Sequence, residues 1–425
     1  MAKILIVTYS GFGNWFSLRF LQEKHSCDIY YCGKASEPSL WCLNGICPNV
    51  LTEKPDFRRY DLILFDLTGK PKLAEEALLA SPTVGDSDFA SHIEDHRLDG
   101  IKIMEQCDIN VPNYETFDDI GDAKRFVRKT NKRFVFKPFG GQDQDTASTY
   151  VSKNAEDMYK YLDRLSSVSK GVEFILQEVV EGTEISTEAW FDGQEFYLVN
   201  GTLEEKKFMD GGRGPNTGCS GNLVFVYDGL NLPLIFREGL GKLKDFLQAA
   251  KYRGMIDLNT IVSDTEMFGL EWTPRFGYDA SATLFHIIRS NLGDFIGSIA
   301  SGIKPDYEIK QTFSAGIRIS IPPYPSEIKN EHPPEIPIQG LENVDDLYRS
   351  YYLYDCCLDG DNLVTAGVNG FICVPMASGA SIPECFDKVE GRIKRLQIPN
   401  MQYRGDILKC VYERYKTLSN QGWLR

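Results

Sequence analysis

The segment from Gly269 to Gly277 (GLEWTPRFG) most constrains the fold, because charged and hydroxyl side chains alternate along it as Glu271, Thr273 and Arg275. Side chains two residues apart on a strand share one face, so this spacing predicts a β-strand with all three groups pointing the same way. Asp257 lies earlier, in a second strand-like segment. Side by side, the two strands would present Asp257 and Glu271 as oxygen ligands for Mg²⁺, with Arg275 beside its phosphates. The alternative is an ordinary strand with solvent-facing charges.

Length and charge limit the classes of protein that this chain can represent. The 425 residues suffice for about three domains. A formal net charge of −14 argues against duplex nucleic acid or a membrane surface as the main partner, since both are polyanionic. The eleven cysteines are dispersed and lack zinc-site spacing, which is typical of a reducing compartment. No apolar run approaches the roughly 18 residues of a membrane span, so we expect a cytoplasmic protein.

The N-terminal region has the pattern of a parallel α/β domain. The apolar run of residues 4–7 leads into Gly11, Phe12 and Gly13, which predicts a buried strand followed by a glycine turn. Strand-like segments at 27–32 and 60–66 alternate with helical stretches. The turn at 11–14 could hold a phosphate at the start of a helix, or it could be a tight turn only.

A second unit begins after Pro112, which ends a helix predicted at 98–107. The pattern then predicts a helix at 119–130, a strand at 133–137, a glycine-containing loop at 138–145, a strand at 147–151, a helix at 156–165 and a strand at 174–178. Such a loop can close over the phosphates of a nucleotide. Lys137, next to the loop, is a candidate phosphate ligand; the alternative is a surface lysine on a hairpin.

The segment from Gln177 to Glu184 carries groups suited to a nucleoside. Adenine needs a hydrogen-bond donor and an acceptor in an apolar slot, and a carboxylate can accept hydrogen bonds from both ribose hydroxyls. Gln177, Glu178, the backbone near Val180, and Glu184 have these properties. The alternative is a linker with solvated acids.

Taken in order, these elements resemble the ATP-grasp superfamily. Within it, the chain is similar along its whole length to the glycinamide ribonucleotide synthetase family. Four motifs carry the resemblance: Val84–Ala90 (VGDSDFA) with Glu94, Gly214–Gly218 (GPNTG) after Lys206 and Lys207, Arg275–Gly277 (RFG), and Met401–Ile407 (MQYRGDI).

The resemblance implies an ATP-grasp fold of mixed α/β and α+β class. Its expected parts are an N-terminal α/β domain (1–110), an ATP-lid subdomain (111–181), a central ATP-grasp domain (182–308) and a C-terminal mixed domain (309–425). The expected site residues are Lys102, Lys137, Gln177, Glu178, Val180 and Glu184 for ATP; Asp257, Glu271 and Thr273 for Mg²⁺ or Mn²⁺; Asn216, Thr217, Gly218 and Arg275 for substrate; and Arg275 and Lys137 for catalysis.

The implied reaction is ATP-dependent amide formation through an acyl phosphate, joining glycine or another small amino acid to phosphoribosylamine in purine biosynthesis. Several departures from the family pattern leave two alternatives open. The N-terminal glycine turn carries Phe12, Trp15 and Phe16, which favours another amine acceptor, such as a modified nucleotide or nucleobase, if these rings face the cleft. Thr273 replaces a metal-binding asparagine of the family, and Asp143 and Asp145 lie in the phosphate loop, which would permit a nucleotide-binding module without catalysis. The resemblance implies small-molecule partners, namely an amino acid, an amine acceptor and ATP, and a monomer or a homodimer is expected.

Overall fold

The computed structural model describes residues 1–34, 37–139, 149–168, 173–227, 229, 231–277, 279–309, 312–326, 335–341 and 347–425. The predicted phosphate loop, with Asp143 and Asp145, lies almost entirely outside these ranges. Within them, no helix combines the length and apolar character needed to cross a membrane.

The N-terminal part is a five-stranded parallel sheet flanked by helices. Its elements are β1 (Lys3–Thr8), α1 (Asn14–Gln22), β2 (Ser26–Tyr31), β3 (Asn49–Leu51), β4 (Leu62–Phe65), α2 (Pro71–Ala80), β5 (Thr83–Val84), α3 (Asp88–Asp95) and α4 (Arg97–Gln106). The strand order is β3-β2-β1-β4-β5. Residues 4–7 of β1 are all buried, as expected for a parallel strand covered on both faces. The parallel α/β prediction is therefore confirmed.

The next unit packs two helices on a four-stranded sheet. Its elements are β6 (Tyr114–Phe117), α5 (Ile120–Thr130), β7 (Phe134–Pro138), β8 (Tyr150–Val151), α6 (Ala155–Val168) and β9 (Phe174–Glu178). The strand order is β6-β9-β7-β8, with antiparallel pairing. Ala123 and Val127 of α5 meet Met158 and Leu162 of α6 in its core. The helices predicted at 119–130 and 156–165 are therefore present, with slightly different ends.

The central part is largely antiparallel sheet. Its elements are β10 (Thr183–Phe191), β11 (Phe196–Met209), β12 (Arg213–Val226), α7 (Leu234–Glu238), α8 (Lys244–Ala249), β13 (Gly254–Val262), β14 (Met267–Thr273), α9 (Asp279–Phe285) and α10 (Leu292–Ser301). The strands that carry Asp257 and Glu271 are neighbours, as predicted.

The C-terminal part continues the same sheet. Its elements are β15 (Phe313–Ile317), β16 (Ile319–Ser320), α11 (Leu347–Ser350), β17 (Tyr351–Leu353), β18 (Cys356–Asp359), β19 (Asn362–Thr365), β20 (Phe371–Gly379), α12 (Ile382–Ile393) and α13 (Ile407–Asn420). The nine-stranded sheet runs β14-β13-β10-β11-β12-β15-β20-β16, with β17 paired to β20. Central and C-terminal strands therefore share one sheet.

One strand prediction was wrong in extent. β14 ends at Thr273, so Arg275 lies beyond the strand rather than on its face. Pro274 has no backbone N–H and cannot extend the hydrogen-bonded ladder. The guanidinium of Arg275 instead turns toward α3, where its Nε donates a 2.9 Å hydrogen bond to Oε1 of Glu94.

Candidate active site

Polar side chains cover one face of four neighbouring strands, β14, β13, β10 and β11. Asp257 lies opposite Thr273 on one side and Glu188 on the other, and Asn259 lies likewise between Glu271 and Ser186. Directly paired residues on adjacent strands share a face, so these side chains form two continuous rows. We call this surface the polar face; its residues are Glu184, Ser186, Glu188, Asn200, Thr202, Glu204, Lys206, Asp257, Asn259, Glu271 and Thr273. Most of them line a cavity of about 450 Å³.

Lys137, the candidate phosphate ligand, is buried at one end of this region, which excludes the alternative of a surface lysine. Its side chain is 9% exposed and Nζ donates a 2.8 Å hydrogen bond to Oε1 of Gln177. Burial, aided by the charge of Arg97, lowers the pKa of Lys137 to about 8. Although burial acts to raise it, the pKa of Glu271 lies below its ordinary value because Lys206, Lys137 and Arg97 attract its negative charge. The geometry thus concentrates cations around one carboxylate.

Lys102 does not join this group. Its side chain is 58% exposed and Nζ bonds to Oδ1 of Asp99 at 2.7 Å. Arg97, at the start of α4, occupies the position that was expected for Lys102. Its Nε donates a hydrogen bond to the backbone oxygen of Pro138, and its positive charge lowers the pKa of Glu271. The two residues are five positions apart on a helix, so they lie on different sides.

The residues predicted to bind the nucleoside lie on different faces of β9, because side chains alternate along a strand. Gln177 is 2% exposed and faces inward with Lys137, whereas Glu178 faces the other way and pairs with Lys132 at 2.6 Å. Val180 is half-buried just after β9.

Glu184, on β10, is held by two neighbours on the polar face. It accepts hydrogen bonds from Lys206 at 2.6 Å and from Asn259 at 3.1 Å. Gln177 accepts a hydrogen bond from Lys137, and Glu184 accepts one from Lys206. Both lysines lower the pKa of Glu271, so these two predicted residues contact the cations that surround it.

Oxygen donors suited to Mg²⁺ lie next to Glu271. The Oδ1 atoms of Asn259 and Asp257 are buried and have no hydrogen-bond donor among the described residues. No three acidic, histidine or cysteine side chains in the described ranges converge to enclose a metal ion. Mg²⁺ that arrives with phosphates needs only one or two protein carboxylates, so the donor set fits such an ion. Asn259 escaped the sequence prediction, although Asp257 and Asn259 alternate as Glu271 and Thr273 do.

The predicted substrate residues Asn216, Thr217 and Gly218 line the same cavity from β12. The backbone oxygen of Thr217 accepts a 2.9 Å hydrogen bond from Arg318. Arg318 also forms a buried bidentate pair with Asp279, at 2.9 and 2.7 Å. This pair, which sequence reasoning missed, fixes the edge of the cavity.

The N-terminal turn is a tight turn whose amide groups are already used. Gly13 N–H donates to Oδ2 of Asp66 at 2.8 Å, and Gly11 N–H donates to Oγ1 of Thr8 at 2.9 Å. Phe12 lines the cavity and stacks on Tyr354, with ring centroids 4.4 Å apart. Trp15 and Phe16 are core residues, 1% and 3% exposed.

Residues 101–277 match the family described as phosphoribosylglycinamide synthetase, ATP-grasp (A) domain. A phosphoribosylamine–glycine ligase of Leptospira interrogans is 22% identical over 349 residues, covering 78% of each chain. The crystal structure of the Thermotoga maritima phosphoribosylamine–glycine ligase superimposes with a TM-score of 0.70 at 18% identity, covering 95% of this chain and 99% of that one.

A more distant solved structure holds a nucleotide. The biotin carboxylase domain of Hydrogenobacter thermophilus 2-oxoglutarate carboxylase, in complex with MgADP, superimposes with a TM-score of 0.64 at 11% identity, covering 99% and 98% of the two chains. The chain is similar to the phosphoribosylglycinamide synthetase family of ATP-grasp ligases, as a divergent relative, and its residues 101–277 match that family's ATP-grasp domain.

Proposed function

We propose that this protein joins a carboxylate to an amine at the expense of ATP, through an acyl phosphate. The observation that carries the proposal is the position of Glu271, a buried carboxylate whose pKa is lowered by Lys206, Lys137 and Arg97. A cluster of cations around one acidic group matches what a triphosphate with its divalent ion requires.

The chemistry needs positioning more than it needs a protein nucleophile. A carboxylate is a poor electrophile, and transfer of the γ-phosphoryl group of ATP converts it into a reactive acyl phosphate. An amine then attacks the acyl carbon, forming the amide and releasing inorganic phosphate. Fixed cations in a buried site stabilise the charge that develops on the transferred phosphoryl group. Lys137 and Arg97 would supply this stabilisation together with Lys206.

Glu271 and Asn259 are the residues best placed to hold Mg²⁺, with Asp257 in the adjacent row. The ion would neutralise phosphate charge. Thr273, predicted as a third ligand, lies opposite Asp257 and offers one hydroxyl oxygen. Gln177 and Glu184 would orient the nucleoside through their links to Lys137 and Lys206.

Glycine and phosphoribosylamine, which appear in the names of the relatives, are the first substrate pair to test. One observation favours an acceptor other than phosphoribosylamine. The N-terminal turn, a candidate phosphate site, is closed by the Asp66 carboxyl group, which already accepts the Gly13 N–H that a phosphate would need. The ring of Phe12 at the cavity wall is compatible with a planar acceptor.

The test is to trap the acyl phosphate. Purified protein, MgATP and hydroxylamine are incubated with single carboxylates, including glycine, and hydroxamate and ADP are measured. ATP-dependent hydroxamate from at least one carboxylate supports the proposal. MgATP binding without ADP or hydroxamate for any carboxylate would instead support the non-catalytic module.

A further inference from the structure

The motif Met401–Ile407 (MQYRGDI), which leads into α13, has no role in the proposed chemistry. It lies outside the residues that match the ATP-grasp domain of the family, and none of its seven residues, all of them described, lines the cavity of the polar face. It nevertheless contains Arg404, which is only 2% exposed. A buried guanidinium group needs partners for its five N–H donors, so its contacts indicate what the motif does.

Arg404 contacts β11 from the side opposite the polar face. Its Nε donates a 2.6 Å hydrogen bond to Oδ1 of Asp406 within the motif. Its Nη1 lies 3.0 Å from Oε2 of Glu205 and donates a 3.1 Å hydrogen bond to the backbone oxygen of Lys207. Side chains alternate along a strand, so Lys206, between these two residues, points into the cavity. Arg404 therefore holds the strand on both sides of Lys206.

The sheet itself gives Lys206 irregular support. Towards β10, the paired register of β11 ends at Thr202, four residues before Lys206. Towards β12, residues 217–220 form a bulge opposite Lys206. The backbone oxygen of Lys206 accepts a 3.1 Å hydrogen bond from Oγ1 of Thr217 in this bulge. Where regular pairing ends, contacts from outside the sheet gain importance for the position of the strand.

A second arginine supports the same strands. Arg414 on α13 donates hydrogen bonds to the backbone oxygens of Glu184 on β10 and Glu204 on β11. It also donates a 2.9 Å hydrogen bond to Oε1 of Glu205, the carboxylate that pairs with Arg404. Charge-assisted bonds of this kind are strong and directional, so the two arginines fix the ends of both strands from behind.

The motif also holds the tip of the β11–β12 hairpin. Gly211 N–H donates a 2.7 Å hydrogen bond to Oδ2 of Asp406, and Gly405 N–H donates a 2.8 Å hydrogen bond to Oδ1 of Asp210. This hairpin carries Lys206 on one strand and the predicted substrate residues 216–218 on the other.

We propose that Arg404 is a positioning residue, which holds the backbone around Lys206 so that the ammonium group of this lysine meets the bound nucleotide. The inference rests on the proposed ligase function, in which Lys206 is one of the cations around Glu271. A misplacement of about 1 Å at such a site can cost as much as about 10²-fold in rate. The motif would then act on the nucleotide site without touching the nucleotide.

The experiment is a double-mutant cycle on the full chain, with MgADP affinity measured by calorimetry. The variants are Arg404→Met, Lys206→Met and the double variant. Arg19→Met is the matched control, because Arg19 is equally buried, forms a 2.6 Å ion pair with Glu23 and does not line the cavity. The melting temperature of each variant reports the loss of stability.

Lys206→Met should weaken MgADP binding at least about tenfold, or roughly 1.4 kcal/mol. Arg404→Met should weaken it at least about fivefold, but should add little in the Lys206→Met background, because effects that pass through one residue are not additive. Arg404→Lys keeps the charge without the fork of donors and should lose an intermediate amount. Arg19→Met should lower the melting temperature and leave the affinity unchanged.

Three results would overturn the inference: unchanged affinity in Arg404→Met, the same loss from this change in both backgrounds, or an equal loss in Arg19→Met. If Arg404→Met does not fold, Arg404→Lys takes its place in the cycle under the same criteria. Wild-type protein that binds no MgADP would overturn the ligase proposal as well. Wild-type binding together with an additive cycle would overturn only the role of Arg404.

Discussion

Gly13 and Asp66 are joined by a 2.8 Å hydrogen bond from the backbone N–H of the glycine to Oδ2 of the carboxyl group. Thr8 donates a second hydrogen bond, of 2.7 Å, to the same oxygen. A Cβ atom at Gly13 would lie 2.8 Å from this oxygen, so the contact requires glycine. The turn that resembles a phosphate loop is thus closed by an acid of the protein itself.

Asp66 should make stability depend on pH. Burial raises its pKa from 3.8 to about 7, against the hydrogen bonds from Thr8 and Gly13. The folded state therefore favours the protonated form, and the contribution of Asp66 to stability, complete below its ordinary pKa, is lost as the pH rises through about 7. Urea unfolding at pH 5 and pH 8 should show a loss of at most about 3 kcal/mol from this group. In Asp66→Asn the free energy of unfolding should fall less between pH 5 and pH 8, by that amount. An equal fall in the wild type and the variant would contradict a raised pKa of Asp66.

Lys137 and Lys102 offer a direct comparison of two predicted phosphate ligands. Lys137→Met should weaken MgADP binding at least about tenfold, because a charge is lost from a buried site. Lys102→Met should leave that affinity unchanged, since its exposed ammonium bonds only to Asp99 among the described residues. Calorimetry on both variants decides the matter. Equal losses would mean that α4 moves when nucleotide binds.

Asn259 should matter more than Thr273 for the divalent ion. Asn259→Ala removes an unpartnered amide oxygen opposite Glu271, and the Mg²⁺ concentration for half-maximal ADP release should rise at least about tenfold. Thr273→Val keeps the side-chain volume and should change this value little. A larger increase in Thr273→Val than in Asn259→Ala would contradict this assignment and would place the ion beside Asp257 and Thr273.

The Arg318–Asp279 pair should be a stability determinant. Both side chains are buried, and Arg318→Met would leave the Asp279 carboxylate without its partner, a loss of about 3–5 kcal/mol. Adding Asp279→Asn removes the unpaired buried charge, so the double variant should regain most of the lost free energy of unfolding. Denaturant unfolding of the single and double variants measures both steps. A double variant no more stable than the single would show that the arginine acts through other contacts.

The sequence predicted the fold well because its signals were local. Apolar runs such as residues 4–7 and helical spacing over 120–130 determine elements without distant partners. The pairing of the Asp257 and Glu271 strands was also predictable, because alternation assigns each polar residue to a face.

The composition of the site was less predictable because it depends on distant strand pairing. The pairing of β13, β10 and β11 brings together three polar residues that are far apart in the sequence: Asn259, Glu188 and Glu204. Nothing local in the sequence shows that they share one face. Arg97 and Lys102 occupy the same helix, and only the packing of α4 shows which side chain faces Lys137. Asp66 reads as the polar end of a buried strand, and its bond to Gly13 becomes visible only in three dimensions.

The rate of ATP-dependent hydroxamate formation in Glu271→Gln tests the proposed site most directly. Glutamine keeps the shape of the side chain but removes the charge that Lys206, Lys137 and Arg97 surround. Glu266→Gln, an exposed acid at the β13–β14 turn, is the control. With an unchanged melting temperature, Glu271→Gln should be at least about 10²-fold slower than wild type, and the control should match wild type. Near-normal turnover in Glu271→Gln would contradict the proposed site.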